Sequence, residues 1–279
     1  MDQRRVRMVE MLLLTALFYF SYTVLEALTS QLWYEGLLRS GFTEEFLEQN
    51  GNIPYSLASF AMAFLYYLIY RRLKKRGEQT QPVPNLEEHR RLHGWKAIGV
   101  SLVLAFGCIG LSTLWMTAVD RVFAEIPFVQ NSLETMESAF TEMEEGSYLW
   151  SFLYICASGA LVEELLFRGL IFHCLERGFL SKGAAIVLSA LLFGIWHGIF
   201  VQSVYTCLIG LVLGYSYVKT RDLRYPILIH FLNNFMGTLP PQLDTDAVFY
   251  GIEAVGVCIL PFMFLLMFFL RESPKPRNS

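Results

Sequence analysis

Long apolar segments dominate this sequence and restrict the folds that the chain can adopt. Eight of them occur, at approximately residues 8–29, 53–70, 97–119, 148–175, 184–200, 203–219, 226–239 and 248–270. A helix needs about 20 apolar residues to cross the hydrocarbon core of a bilayer, and a soluble core of this size does not require so many such runs. The 279 residues, 54% hydrophobic and 17% charged, therefore predict an all-α, polytopic transmembrane helix bundle of about eight spans. We expect a single integral membrane domain over residues 1–279.

The charges between the apolar segments alternate in sign along the chain. Lys and Arg cluster before the first segment and after the second, fourth, sixth and eighth, whereas residues 120–147 hold seven acidic residues and one Arg. If all eight segments span the membrane, every basic cluster falls on one side. Because basic loops stay in the cytoplasm, both termini are predicted to be cytoplasmic. We expect a multi-pass protein of the bacterial plasma membrane, with the lipid bilayer and not nucleic acid as the partner of the basic runs.

The first apolar segment follows a basic start but is too long for a signal peptide, so an uncleaved first span is expected. Residues 128–145 show another pattern, with Leu133, Met136, Phe140 and Met143 at helical spacing against an acidic face. This pattern indicates a short amphipathic helix at the outer surface. The alternative is that these residues continue the fourth apolar segment. The five scattered cysteines contain no C-x-x-C pair and predict neither a metal cluster nor a complete set of disulfides.

Strongly polar residues lie inside three of the apolar segments, where burial in hydrocarbon is unfavourable. They are Glu163, Glu164 and Arg168 in the fourth segment, His197 in the fifth, and His230, Asn233 and Asn234 in the seventh. Glu164 and Arg168 are four residues apart and share a helix face, and the same spacing relates His230 to Asn234. Glu163 is turned by about 100° from Glu164.

Depths counted from the predicted segment ends allow four of these residues to meet in one cavity. The four are Glu163, His197, His230 and Asn234. The count at about 1.5 Å per residue predicts that this cavity is reached from the cytoplasmic side. Glu10 and Glu26 lie near the ends of the first segment, where an interfacial position suffices.

A carboxylate, two imidazoles and an amide in a wet cavity suit peptide hydrolysis. Glutamate can take a proton from water as a general base, and His and Asn donors can stabilise the oxyanion of the tetrahedral intermediate. Two His and a carboxylate can instead ligate zinc, which lowers the pKa of bound water. From the residues alone, a protease, an ion or proton transporter and a redox site all remain open.

Three motifs carry a resemblance to a known family. Residues 163–168 have the pattern E-E-x-x-x-R, residues 193–197 have F-x-x-x-H, and residues 230–234 have H-x-x-x-N. In this order on successive apolar segments, they resemble the CAAX protease and bacteriocin-processing family (CPBP or Abi) of intramembrane endopeptidases. Its eukaryotic members are the Ras-converting CAAX endopeptidases. The resemblance covers a catalytic core at about residues 148–240 and implies an eight-helix membrane protein with its active site in the membrane.

The resemblance also implies a role for each polar residue. Glu163 is the base that activates water, and His197 is a second polar partner at the water or the oxyanion. His230 and Asn234 form the oxyanion hole.

The resemblance also implies a role for two further polar residues and indicates whether a cofactor is needed. Glu164 and Arg168 support the site by orienting the helix. The family is generally regarded as glutamate-dependent, and we expect no cofactor. Zinc is the less favoured alternative, because each His lies on a different segment and the zinc-binding H-E-x-x-H pattern is absent.

The expected function is therefore endopeptidase cleavage near the cytoplasmic face. The substrate is expected to be a membrane-associated or lipidated, CAAX-like protein, or a small peptide. A different class of function is a non-catalytic membrane protein, such as a binding scaffold or bacteriocin-immunity protein that uses the same cavity. Retention of every polar residue of the motifs favours the enzyme.

Overall fold

The structure is a computed structural model that describes residues 3–80, 94–178 and 181–270, apart from the side chains of 3–4 and 76–80. All regular elements within these residues are helical, which confirms the all-α prediction. The helices are α1 (Gln3–Arg39), α2 (Glu44–Gln49), α3 (Asn52–Thr80), α4 (Gly94–Arg121), α5 (Pro127–Glu144), α6 (148–178), α7 (Lys182–Trp196), α8 (Phe200–Thr220), α9 (Arg224–Gly237) and α10 (Asp246–Phe269).

Each of the eight predicted apolar segments overlaps a helix. Five of these helices, α1, α3, α4, α8 and α10, are long and apolar enough to cross a membrane. Only 17% of the most apolar stretch of α1 and of α10 is buried inside the protein. Apolar side chains that face outward over such lengths are stable in lipid and not in water. The chain is therefore an integral, multi-pass membrane protein, and the count of eight spans stays a prediction.

Helix α6 runs through the middle of the bundle and changes its hydrogen-bonding pattern along its length. Two π-helical stretches, Phe152–Gly159 and Leu165–Ile171, enclose a short α-helical turn at Ala160–Glu164. All residues of the second stretch are buried. π-helical turns are rare and often occur at functional sites. The turn between them carries the adjacent residues Glu163 and Glu164.

The two ends of the bundle carry opposite charge. Asn52 Nδ2 donates to Met143 O (2.6 Å) and to Ser151 Oγ (3.1 Å), so the turns around these residues meet at one end. At the other end, Arg221 pairs with Glu176 at 2.6 Å. We call the first end the acidic face; it comprises residues 35–52, 120–151 and 237–246. We call the second end the basic face; its described residues are 5–11, 71–75, 94–96, 176–178, 181–182 and 219–224.

The acidic face has thirteen Asp or Glu and two Arg, whereas the basic face has twelve Lys or Arg and three acids. The charge segregation expected from the sequence is thus present in the fold. Which face lies in the cytoplasm stays a prediction.

The predicted amphipathic segment is a separate helix, α5. Val129 and Met136 on its apolar side are buried, and Ser132 Oγ accepts a hydrogen bond from Val201 N at 2.9 Å. The alternative, a continuation of the fourth apolar segment, is wrong. The chain breaks at Gly146, whose φ of 85° places it in the left-handed region that favours glycine.

The fifth apolar segment ends earlier than predicted. The sequence suggested a helix over 184–200, with His197 well inside it, but α7 ends at Trp196. Gly198 adopts a φ of 74° and turns the chain before α8 begins. The apolar residues after Gly198 hide this turn in the sequence, because their composition continues that of the helix. His197 therefore caps the end of α7.

Candidate active site

A buried carboxylate joins two motifs. Glu164 Oε1 accepts a hydrogen bond from Arg168 Nη1 at 2.8 Å and lies 2.9 Å from His230 Nδ1. Both members of the Glu164–Arg168 pair are 0% exposed. Arg168 also donates through Nη2 to Gly210 O at 3.1 Å, and its guanidinium lies 4.6 Å from the centre of the Phe193 ring. The pair therefore ties α6 to α7, α8 and α9.

These contacts determine which nitrogen of His230 faces the cavity. An ionised carboxylate only accepts hydrogen bonds, so His230 Nδ1 carries the proton that it shares with Glu164. Nε2 then points toward Glu163, with 3.8 Å between Nε2 and Oε2. The sequence placed Glu164 with Arg168 and placed His230 with Asn234. It did not show that Glu164 also contacts His230.

Glu163 has a different environment from its neighbour. Its side chain is 14% exposed, and it lines the cavity described below. Within the described residues, Glu163 Oε2 has no hydrogen-bond partner. This carboxylate oxygen is buried and unpartnered, so its hydrogen-bonding capacity is left to a group other than the described residues.

His197 is oriented by its own helix. Its Nδ1 lies 2.9 Å from Phe193 O, so Nδ1 is the donor because a carbonyl oxygen only accepts. In the neutral ring this arrangement leaves the Nε2 lone pair free to accept. The ring packs edge-on against Phe193 and Trp196, with centroids 4.8 and 5.2 Å away.

Asn234 is anchored to the first π-helical stretch of α6. Its Nδ2 donates to Ile155 O at 3.0 Å. An amide nitrogen has two hydrogens, so the second remains available as a donor. Asn234 lies one helical turn from His230, and the two side chains project to the same side of α9, as their spacing predicts.

One cavity of about 480 Å³ brings these groups together. Glu163, His197, His230 and Asn234 all line it. Its wall extends to the acidic face through three residues of α5, which are Met136, Phe140 and Met143. No residue of the basic face, as described, is part of the lining.

The lining of this cavity thus extends toward the acidic face, and the prediction that the cavity is reached from the cytoplasmic side stays a prediction. Counting residues along a helix gives a depth. It does not show where the helices separate, and this depends on their packing and on the position of α5.

Sequence reasoning missed two further carboxylates. It assigned Glu26 to an interface, yet α1 continues to Arg39 and Glu26 lines the cavity. Glu26 Oε1 accepts hydrogen bonds from Tyr22 OH at 3.0 Å and Tyr154 OH at 3.3 Å. Glu253 of α10 also lines the cavity. The spacing of Tyr22 and Glu26, four residues apart, was the one available signal, and it is also common on surface helices.

The described residues do not form a zinc site. No group of three His, Cys, Asp or Glu side chains in the described part of the chain is placed to hold a metal ion. The Nδ1 atoms of His197 and His230 are both engaged by protein oxygens. The mechanism proposed below therefore contains no step through a metal.

Comparison with known proteins agrees with the three motifs. Residues 145–236, about a third of the chain, match the model of a family described as type II CAAX prenyl endopeptidase Rce1-like. Through this region the chain is similar to the CAAX protease family. The match spans all three motifs and confirms the resemblance inferred from them. The match supports a CAAX-type intramembrane protease in general. No curated protein and no solved structure matches the chain.

Proposed function

We propose that the chain is a glutamate-dependent intramembrane endopeptidase in which Glu163 activates the attacking water. The observation that carries the proposal is the distance of 3.8 Å between Glu163 Oε2 and His230 Nε2 on the wall of one cavity. This separation is longer than a direct hydrogen bond, and one water molecule can contact both groups. Glu163 Oε2 has no competing partner among the described residues.

The reaction proceeds by general-base hydrolysis. Glu163 takes a proton from water while the water oxygen forms a bond to the carbonyl carbon of the scissile peptide. The carbonyl electron pair moves to oxygen and gives a tetrahedral oxyanion. Collapse of this intermediate breaks the C–N bond, and Glu163 returns the proton to the leaving nitrogen. The carboxylate is thereby regenerated, and no oxidant or reductant is needed.

His230 and Asn234 stabilise the oxyanion. In its doubly protonated form His230 keeps Nδ1–H on Glu164 Oε1 and donates Nε2–H to the oxyanion. The second N–H of the Asn234 amide donates beside it. His197 accepts a hydrogen bond from the attacking water through Nε2 and orients it.

Glu164 and Arg168 are positioning residues in this proposal. The buried ion pair between them fixes the position of His230 relative to the α-helical turn of α6 that carries Glu163. The pair itself does not contact the reacting atoms.

The position of the cavity changes the expected place of cleavage. With both termini in the cytoplasm, the acidic face is the outer face, and cleavage takes place in the outer half of a bacterial plasma membrane. The substrate is then a membrane-associated polypeptide or a small peptide that reaches the cavity from that side.

Glu163→Gln tests the proposal because it keeps the shape of the side chain and removes the base. The parent and the variant are purified and compared on quenched fluorescent peptides, and the peptides that accumulate in membranes with the variant are identified by mass spectrometry. We expect kcat to fall by about 10²-fold or more, with an unchanged unfolding midpoint. Full activity of Glu163→Gln would show that Glu163 is not the base.

The same preparation tests the metal requirement. It is stripped with a chelator, and its metal content is measured in parallel. We expect activity to persist in the stripped protein. Activity that vanishes with the metal and returns with stoichiometric zinc would contradict the glutamate-dependent mechanism. A protein that binds peptides without cleaving any of them would instead support the non-catalytic alternative.

A further inference from the structure

The cavity contains more carboxyl groups than the proposed hydrolysis requires. Besides Glu163, its wall includes Glu26 of α1 and Glu253 of α10, and none of its lining residues is Lys or Arg. Neither additional carboxylate forms an ion pair with a described residue. A carboxylate removed from bulk water is unfavourable unless a cation or several hydrogen bonds compensate it. The described residues supply hydrogen bonds at this cavity and no compensating Lys or Arg.

Glu26 is held in place by two phenols and by no described cation. The two phenols that donate to its Oε1 come from Tyr22, one turn earlier in α1, and from Tyr154 of α6. Tyr22 is buried, and Glu26 is half-buried. Because phenols are neutral donors, they orient the carboxyl group through Oε1 and supply no countercharge.

Glu253 provides a similar group on another wall. It is half-buried, and its Oε1 accepts a hydrogen bond from Thr113 Oγ1 of α4 at 3.4 Å. Glu26, Glu253 and the catalytic Glu163 thus reach one cavity from three helices, α1, α10 and α6. The carboxyl groups of the cavity therefore do not lie on one helix face.

The charge outside the cavity has the same sign. The cavity wall continues to the acidic face, where acidic residues outnumber Arg by thirteen to two. A surface of one sign raises the local concentration of ligands of opposite charge and speeds their association. A positively charged segment is therefore attracted to the cavity and compensated inside it.

We propose that the cavity selects a polypeptide segment with a Lys or Arg side chain beside the scissile bond, and that Glu26 and Glu253 bind this cation. The inference rests on the proposed peptidase function and adds the class of its substrate.

The test uses the purified full-length chain and matched quenched peptides that carry Lys, Gln or Glu at each position next to the scissile bond. We expect kcat/KM to be about tenfold higher for Lys than for Gln, and lower again for Glu. Glu26→Gln and Glu253→Gln should each reduce the preference for Lys, and Glu26→Lys should shift it toward Glu. Glu137→Gln is the matched control, because Glu137 is exposed on α5 and does not line the cavity.

A binding measurement separates this inference from the proposed function. Fluorescence anisotropy with the Glu163→Gln protein reports the affinity of each labelled peptide without cleavage. Tighter binding of the Lys peptide, lost in Glu26→Gln, supports the inference even if the parent chain cleaves nothing. Cleavage of the Lys, Gln and Glu peptides at equal rates would overturn the inference and leave the peptidase intact. Retention of the full Lys preference in both Glu26→Gln and Glu253→Gln would also overturn it.

Discussion

Glu163 and Glu164 are adjacent in the sequence and have unrelated surroundings. Glu164 is fully buried between Arg168 and His230, whereas Glu163 lies at the cavity with one oxygen unpartnered. The difference follows from the turn of about 100° between successive helix positions, which directs one side chain into the packed interior and the other into the cavity. These surroundings fit the proposed roles, with Glu163 as the base and Glu164 as a structural residue.

Glu164→Gln is therefore expected to act on stability. It preserves size and leaves the buried Arg168 without a countercharge, which reduces the free energy of unfolding by about 3–5 kcal/mol. The measurement is denaturant unfolding of the purified protein in detergent, with Glu163→Gln as the isosteric control at the next position. Adding Arg168→Met to Glu164→Gln removes the unpaired charge and should restore part of the lost stability. If Glu164→Gln and Glu163→Gln unfold at the same midpoint, the assignment of a structural role to Glu164 is wrong.

At the scale of elements, the site depends on irregularities in its helices. The π-helical stretches of α6 flank the turn that carries Glu163, and Asn234 donates to a carbonyl in the first of them. His197 occupies the end of α7, where Gly198 allows the chain to turn. Each interruption brings a polar group to the cavity that a regular helix would direct elsewhere.

The crossing of α4 and α10 also forms part of the cavity wall. A Cβ added at Gly110 of α4 would collide with the backbone of Gly256 on α10, whereas one added at Gly99 would meet no atom within 4 Å. Small residues let two membrane helices approach closely, and a methyl group placed in that contact forces them apart.

Gly110→Ala is expected to lower the free energy of unfolding by about 1–3 kcal/mol because it overpacks this crossing. Gly99→Ala, in the same helix, should be neutral or stabilising by up to about 1 kcal/mol, since it only removes the flexibility of glycine. Thermal unfolding of the two variants side by side provides the measurement. Equal midpoints would show that the close approach at Gly110 is not required.

At the scale of the whole molecule, the separation of charge defines two sides of the bundle. The basic face contains four Lys or Arg within residues 71–75, and the acidic face includes α5. Basic segments are retained in the cytoplasm during insertion. If the basic face is cytoplasmic, as predicted, the cavity belongs to the outer half of the protein.

Cysteine labelling in intact cells tests this orientation. Lys75→Cys and Ser138→Cys place exposed thiols on the basic and acidic faces, in a chain whose exposed Cys258 is replaced by Ser. A membrane-impermeant maleimide should label position 138 and leave position 75 unlabelled until the cells are opened. The reverse pattern would place the basic face outside and the cavity toward the cytoplasm.

Much of the candidate site could be predicted from single segments of sequence. The pairing of Glu164 with Arg168 and the common face of His230 and Asn234 follow from helical spacing alone, which is a local property. The contact of Glu164 with His230 could not be predicted, because α6 and α9 are far apart in sequence and nothing local determines their approach. Glu26 escaped notice for the same reason.

The sequence by itself determined the all-helical membrane class, the segregation of charge between the two faces, and the motif residues that mark the family. These properties depend on composition and on spacing within one helix. Tertiary structure alone decided that the cavity extends to the acidic face, that α5 forms part of its wall, and that Glu26 and Glu253 are included in it. The physical reason is that helix packing sets the distances between segments remote in sequence. The apolar surfaces of the helices have nearly the same composition, so the sequence does not show which surfaces pack together.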